Sequence, residues 1–266
     1  DGTNEITNNL FGVYPNGTNA SLTTYGLVFE NDAAGMANTI GSPDEKNVFA
    51  NVANTGVYFM GDASNSVIQS NYFGLLPDGV TTGYCYDAIV FGEGGTDVQI
   101  GGDAPELGNI FSNCFNIGIK QLSGTYPIER LLIHGNSFGT DITGMVPYLL
   151  ANSIVITAAI DLTIGGTNPG EGNLFVMSSN PIQLSYSTGT RVYGNDFGIY
   201  SDGVTPAPYS TYRAMSVLYS STDTEIGDGS VGGANVFGGG MGGVEFVSFG
   251  SFVHNDVRVK GNKLGV

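Results

Sequence analysis

The sequence predicts an all-β protein, a single parallel β-helix of roughly eight or nine coils that extends over residues 1–266. Three observations predict this fold. The chain repeats itself about every 62 residues, short β-branched runs recur twice within each repeat, and no helical periodicity interrupts them. With 42 glycines and 41% apolar residues, the chain also has the turn and core residues that a stack of coils requires.

Two sequence elements mark the repeat. One is an Ile-Gly pair followed by an Asn-apolar-Phe triplet, and the other is an Asn-x-Phe-Gly motif whose last copy has leucine in place of phenylalanine. The pairs begin at Ile40, Ile100, Ile164 and Ile226, the triplets at Asn47, Asn109, Asn173 and Asn235, and the second motif at Asn9, Asn71, Asn136, Asn195 and Asn262. Self-similarity at a fixed period is typical of a solenoid.

Strand-like runs come twice per repeat, which indicates two coils in each 62-residue unit. They are followed by a second short strand after a turn rich in Gly, Asn and Asp, as expected for β structure. The main runs lie at 26–29, 56–59, 88–91, 118–121, 153–156, 181–184, 215–218 and 243–246.

Equivalent residues of successive coils should stack in columns, because coils recur at the strand spacing of about 4.8 Å. The repeat predicts two phenylalanine columns, Phe11, Phe73, Phe138 and Phe197 in one and Phe49, Phe111, Phe175 and Phe237 in the other. Asparagines beside them are expected to form amide ladders that satisfy the backbone of the turns, Asn71, Asn136 and Asn195 in one and Asn109, Asn173 and Asn235 in the other. The glycine that follows each phenylalanine of the Asn-x-Phe-Gly motif should adopt a positive φ.

The two cysteines lie at equivalent places on consecutive coils. Cys85 precedes Ile89 by four residues, and Cys114 precedes Gly118 by four. Stacked cysteines are within the Cα separation that a disulfide needs, so we predict a Cys85–Cys114 bridge. The alternative is a pair of stacked free thiols in a small buried column. An oxidised pair would favour an extracellular or periplasmic location.

Charge and hydropathy limit the partners of the chain. A formal net charge of −16 with only 8 Lys and Arg argues against nucleic acid, since the surface would repel a phosphate backbone. We expect no membrane insertion, because the most apolar window, 145–160, is interrupted by polar residues and is too short to span a bilayer. The chain opens without a signal peptide, which fits a mature exported protein.

The repeat resembles the right-handed parallel β-helix of the pectin-lyase-like superfamily. More closely, it is similar to bacterial secreted and cell-surface repeats that alternate Gly-Asn-x-Phe-Gly with Ile-Gly-Gly elements, here Gly135–Asp141 and Ile100–Asn113. The resemblance covers essentially the whole chain. It implies the handedness of the coil and an extracellular or cell-surface location, and it implies little about function, because function depends on a site carried by the scaffold.

The resemblance implies two kinds of catalytic site, because polysaccharide enzymes of this fold use either clustered aspartates or a basic residue beside calcium. Neither set of residues is assembled in this sequence. No catalytic residue is therefore assigned. Lys120 could face outward beside Glu93 or Asp97 of the preceding coil as a base, although a solvated lysine is the simpler interpretation. Carboxylate pairs also occur at Glu30 and Asp32, Glu93 and Asp97, and Asp103 and Glu106, as is common by chance in turns.

Calcium is the one ion the sequence suggests. Asp78-Gly79 and Asp202-Gly203 occupy one repeated turn, so Asp78 and Asp202 are candidate Ca²⁺ ligands. The alternative is that Asp-Gly simply forms a good turn. No other cofactor is expected. Tyr84, Tyr86, Tyr209, Tyr212 and Tyr219 could form an exposed aromatic strip that binds sugar.

The sequence predicts an exported structural or adhesive rod at the bacterial cell surface, within a larger surface assembly. One alternative is a polysaccharide lyase or glycoside hydrolase acting on an extracellular glycan, and another is a glycan-binding module without turnover. Open β-helix ends expose unpaired strand edges. The chain is therefore expected to be either a segment of a longer protein or a subunit whose ends are capped by other chains or domains.

Overall fold

The computed structural model describes residues 3–30, 36–122, 125–207, 213–238, 242–248 and 253–265. Within them the chain is a β-solenoid of about eight turns in which parallel sheets stack along one axis, as the sequence predicted. The described residues contain a single helical element, the 3₁₀ turn Pro105–Leu107. None of them forms a helix that is long and apolar enough to cross a membrane.

Three long sheets form the walls of the solenoid, and each turn contributes one strand to each. The isoleucine sheet contains Thr3–Ile6, Ala37–Ile40, Val67–Ile68, Gln99–Gly101, Leu132–His134, Thr163–Gly165, Arg191–Tyr193, Thr222–Ile226 and Asn255–Val259. The phenylalanine sheet contains Leu10–Phe11, Val48–Phe49, Tyr72–Phe73, Ile110–Phe111, Ser137–Phe138, Leu174–Phe175, Asp196–Phe197, Val236–Phe237 and Lys263–Leu264. The long sheet contains Thr23–Phe29, Val52–Phe59, Cys85–Phe91, Cys114–Gln121, Leu150–Thr157, Ser178–Ser185, Met215–Leu218 and Val244–Val247. A minor sheet pairs Gly95–Thr96, Ile128–Glu129 and Ala159–Ile160.

The core is built from columns of identical or similar side chains. In the isoleucine sheet, Ile40, Ile68 and Ile100 pair in register and are completely buried. The column continues with the same register through Ile133, Ile164, Val192, Ile226 and Val259. β-Branched side chains suit this arrangement because they pack well on a pleated surface.

The eight phenylalanines of the two predicted columns form a single column, whereas the sequence predicted two. Phe49 pairs with Phe73 and Phe73 with Phe111, so the two expected sets alternate along one stack. Ring centroids of neighbours lie between 4.6 Å (Phe11–Phe49) and 5.1 Å (Phe197–Phe237) apart, with planes within 10° of parallel. The reason is that the two motifs are the same position on consecutive turns, not two positions on one turn.

Two rows of loops, on alternate turns, explain why the repeat is two turns long. Hairpins closed by antiparallel bridges such as Leu75–Thr82 and Thr140–Pro147 follow the phenylalanine strands of one set of turns. Longer loops precede these strands in the other set, at 41–46, 101–108, 165–172 and 227–234. By connectivity the outer face of the phenylalanine sheet therefore lies between the two rows.

Glycine is required where the chain leaves the phenylalanine sheet. Gly74 has a φ of +78°, and a Cβ added there would overlap the carbonyl oxygen of Ser112 on the next turn. Gly12, Gly139 and Gly198 at the equivalent positions also have positive φ, as the sequence predicted. The corner is thus both conformationally restricted and sterically closed to any side chain.

Candidate functional site

A continuous ladder of nine asparagines runs along the solenoid beside the phenylalanine column. Each side-chain Nδ2 donates to the Oδ1 of the asparagine on the next turn, at 2.9 Å from Asn47 to Asn71 and 3.0 Å from Asn71 to Asn109. The remaining rungs join Asn9 to Asn47, Asn109 to Asn136, Asn136 to Asn173, Asn173 to Asn195, Asn195 to Asn235 and Asn235 to Asn262. The two expected asparagine sets are therefore one ladder, for the same reason as the phenylalanines.

Each interior asparagine side chain also contacts backbone groups of the preceding turn. Asn136 Nδ2 donates to the carbonyl of Ile100 on the preceding turn at 2.9 Å, and Asn136 Oδ1 accepts the backbone N–H of Asn109 at 3.0 Å. The Ile100 carbonyl lies in a paired strand, whereas the Asn109 N–H lies at the corner between the isoleucine and phenylalanine sheets and is bonded by the side-chain oxygen of Asn136. The ladder is therefore a structural element, because its side-chain oxygens accept the backbone N–H groups of the asparagines at the corner of each turn from Asn9 to Asn235.

The two candidate calcium ligands are occupied within their own hairpins. Asp78 accepts hydrogen bonds from the Thr81 hydroxyl at 2.5 Å and from the Val80 N–H at 3.0 Å, and Asp202 accepts the same pair from Thr205 and Val204. The threonine hydroxyl, then the backbone N–H groups, lower the pKa of both carboxyls. No three His, Cys, Asp or Glu side chains of the described residues are grouped as metal ligands. Both aspartates therefore cap turns.

Cys85 and Cys114 are paired in register, but both thiols are free and buried, so the predicted disulfide is wrong. Residues paired in register on parallel strands lie about 4.8 Å apart with parallel Cα–Cβ bonds. A disulfide needs Cβ atoms that converge to about 3.8 Å, so the register that stacks the thiols also keeps them apart. The Cys114 thiol instead lies 3.5 Å from the carbonyl oxygen of Ser112. Burial raises the pKa of the Cys85 thiol well above its usual value.

Lys120 lies on the outer face of the long sheet, as the sequence suggested, but its partner is a different carboxylate. Its ammonium is 3.3 Å from Asp87, a buried residue that also accepts a hydrogen bond from Asn116. The Asp97 carboxylate instead receives two hydrogen bonds from Arg130, at 2.6 and 2.9 Å. Asp32, named above as one of a carboxylate pair, lies outside the described residues. Lys120 is thus held in an ion pair.

The last turns carry a connected set of charges on the outer face of the isoleucine sheet. Arg191 and Arg258 both contact the carboxylate of Asp223, and Lys260 contacts Glu225 at 2.9 Å. The Tyr193 hydroxyl donates to Glu225, and burial together with this carboxylate raises the pKa of Tyr193 to about 12. Each charged side chain in the set has an oppositely charged partner on a neighbouring turn, so these ion pairs link adjacent turns.

A cleft of about 390 Å³ opens on the outer face of the phenylalanine sheet, between that sheet and the loops 165–172 and 227–234. Outward side chains of this sheet form a second column, which we call the floor column: Leu10, Val48, Tyr72, Ile110, Ser137, Leu174, Asp196, Val236 and Lys263. Only Asp196 and Lys263 in this column carry charge, and both line the cleft. Sequence reasoning missed them, although the middle residue of each Asn-x-Phe triplet was available as a signal.

The Asp196 carboxylate is partly buried, and no described residue donates a hydrogen bond to it or forms an ion pair with it. Burial raises the pKa of Asp196 to about 6, and the positive charge of Lys263 opposes that rise. Lys263 is exposed and is the one cation among the described residues without an ion pair or ring contact. Six of the other seven are in ion pairs, and Lys46 lies over the ring of Tyr72.

An aromatic pair lies at a second cleft, on the outside of the long sheet. The Tyr86 and Phe115 rings stack with centroids 6.0 Å apart, and 69% of the Phe115 surface is exposed. Phe115, Tyr84 and Leu149 line a cleft of about 290 Å³. Tyr86 and Tyr84 belong to the aromatic strip considered from the sequence, and Tyr219 lies elsewhere, stacked on Tyr186. Tyr209 and Tyr212, the other two members, lie outside the described residues.

No family model, curated protein or solved structure matches the chain. The β-solenoid is shown by the structure, and membership of the pectin-lyase-like superfamily is an expectation from the sequence.

Proposed function

We propose that this chain is an exported structural rod of the bacterial cell surface, with an adhesive or spacer role inside a larger surface assembly. The observation that carries the proposal is the asparagine ladder, which passes from Asn9 to Asn262 without a break. Each turn from Phe11 to Phe237 is joined to the next by an amide hydrogen bond, stacked rings and paired strands, and the last turn by the amide and the strands. A body built this way resists bending and shear at every turn, because no turn lacks these cross-links.

Charge supports a surface role. A net charge of −16 keeps copies of the rod apart and disfavours contact with anionic lipid and nucleic acid. Because the two thiols are free, the proposed location draws no support from a disulfide. It rests on the acidic surface and on the sequence resemblance.

Other chains or domains are proposed to cover the ends of the rod. Leu264 continues the phenylalanine column and is 66% exposed, and Val259 continues the isoleucine column and is 53% exposed. A covering unit that continued the same columns would bury these side chains and pair the open strand edges.

Two measurements test the rod. Antibodies against the folded chain should label intact cells of the organism that makes it, and external protease should remove the label. Labelling only after lysis would refute the surface location. Pulling single molecules along the solenoid axis should give a series of similar force steps, one per turn, whereas a single soft extension would refute the structural role.

A second candidate function, glycan binding, is favoured by the exposed Tyr86–Phe115 pair. Sugar rings pack their C–H faces on aromatic rings, and the neighbouring amides of Asn116 and Asn152 are planar polar groups of the kind that contact hydroxyls. A glycan array should show binding that Phe115→Ala abolishes. Leu122→Ala, which removes a side chain that is 49% exposed, is the matched control. Binding unchanged by Phe115→Ala would refute this candidate.

A further inference from the structure

We propose that the cleft containing Asp196 and Lys263 binds a zwitterionic ligand of short-peptide size, with a protonated amine on Asp196 and a carboxylate on Lys263. The two residues are the only charges of the floor column, and Val236 lies between them in register. The site is independent of the structural role proposed above.

The first argument is the unsatisfied carboxylate. A partly buried carboxylate without a hydrogen-bond donor is costly, and Asp196 has no donor among the described residues. An ammonium group supplies both the opposite charge and the hydrogens. The glycine-rich walls leave the approach open, because Gly166, Gly194 and Gly232 place no side chain in the cleft.

The second argument is the free cation at the other end. Lys263 attracts Asp196 through space, yet the two form no ion pair. Two strand spacings separate their Cα atoms, about 10 Å, with the apolar side chain of Val236 between them. A ligand with opposite charges at its ends and a short neutral middle satisfies both residues at once.

The third argument is size and lining. The cleft volume of about 390 Å³ is within the range of small-molecule sites. Its floor beside the charges is apolar, formed by Leu174 and Val236, and its walls are largely backbone, which offers N–H and C=O groups to a peptide unit. A free amino acid has its two charges too close together to reach both ends.

The test uses four small probes and NMR of the whole chain. Diglycine should shift the backbone amide signals of Gly166, Asp196 and Val236 at millimolar concentration. N-acetyl-diglycine, which lacks the ammonium, and diglycine amide, which lacks the carboxylate, should each bind at least tenfold more weakly. Glycine is the length control and should also bind at least tenfold more weakly.

Variants assign each end of the ligand. In Asp196→Asn, diglycine and N-acetyl-diglycine should bind equally weakly, and in Lys263→Met, diglycine and its amide should do so. Asp44→Asn removes an exposed acid from another loop and should change nothing. The carbon signal of the Asp196 carboxyl gives a second readout, since the pKa of Asp196 should fall when diglycine binds.

The outcomes separate the proposal from its rivals. Loss of diglycine binding with both variants, and retention with Asp44→Asn, supports the site. Equal binding of all four probes, no shift at the three amides, or an unchanged Asp196 pKa overturns it. A strong rise of the Asp196 pKa in Lys263→Met without ligand would show that the two residues pair with each other in solution, and this also overturns it.

Discussion

Removal of one interior rung tests whether the asparagine ladder holds the solenoid together. In Asn136→Ala, the Asn109 amide and backbone N–H lose the oxygen that they share, at 2.9 and 3.0 Å. The carbonyl oxygens of Ile100 and His134 each lose one donor, although the Gly102 N–H still donates to His134, and the side-chain oxygen of Asn173 loses one of its two donors. All five contacts lie in the buried interior, so water cannot replace them.

The expected cost follows from those contacts. A hydrogen bond contributes about 1 kcal/mol net, and a buried group left without a partner costs about 1–3 kcal/mol. The five contacts share only two N–H hydrogens and one oxygen of Asn136, so we expect a loss of about 3–5 kcal/mol in the free energy of unfolding. That is a large part of the total stability of a typical domain, about 5–15 kcal/mol.

Asn262→Ala is the matched control, because Asn262 is the last described rung of the same ladder. Its side chain accepts from Asn235 and donates to the Ile226 carbonyl, but it is only partly buried. We expect a loss of about 1–2 kcal/mol, since water reaches the groups left behind. The contrast between the two variants isolates burial from residue type.

Urea unfolding followed by circular dichroism measures both variants, and hydrogen exchange at the Asn109 and Asn173 amides locates the change. Exchange is needed because solenoids can unfold in parts, in which case one global free energy is not defined. A loss below about 1 kcal/mol for Asn136→Ala, or equal losses for the two variants, would refute a structural role for the ladder.

Gly74→Ala should destabilise the fold by about 3 kcal/mol or more, because the new Cβ clashes with a carbonyl oxygen and φ is positive. Gly203→Ala, where φ is positive but no atom lies near the new Cβ, should cost about 1 kcal/mol, and equal shifts in melting temperature would contradict the steric argument. Asp196→Asn should stabilise the protein by up to about 3 kcal/mol above pH 7 and have no such effect below pH 4. The reason is that the pKa of the Asp196 carboxyl rises from 3.8 to about 6 on folding, so this group destabilises the fold only when it is ionised. A gain in unfolding free energy that does not vary with pH in urea titrations would contradict this. Cys85 and Cys114 should both react with iodoacetamide in urea without reductant, and neither should react in the native protein. A mass spectrum of the urea-treated sample that lacks two adducts would show that the thiols are not free.

The interior of the fold could be predicted from the sequence because each inward position must pack against the equivalent position on the next turn. An inward position that must pack on its own copy, such as Phe73 between Phe49 and Phe111, selects the same residue again and again. The number of columns could not be predicted from the period alone. A 62-residue period is compatible with two positions per turn or with one position on two turns, and the alternating loops decide between them.

The lateral contacts could not be predicted, because they depend on side-chain direction and not on order along the chain. The sequence placed Cys85 over Cys114 correctly, yet parallel Cα–Cβ bonds leave the thiols unbonded. It placed Lys120 on an outward strand, but the partner is Asp87 on the same sheet and not Glu93 or Asp97. Which side chains of neighbouring turns come into contact depends on the strand register, and the sequence predicts that register only to within a residue or two.

A functional site on a solenoid is expected where the residues of one turn differ from the repeated pattern. Any feature present on all turns serves the stack, because the same contacts recur at every turn. Asp196 and Lys263 interrupt an otherwise uncharged floor column, and Phe115 places an exposed ring on one turn of the long sheet. Residues of this kind gain nothing for the stack, and Asp196 destabilises it when ionised. The places where the columns change chemistry are therefore the places where this scaffold can carry a function beyond rigidity.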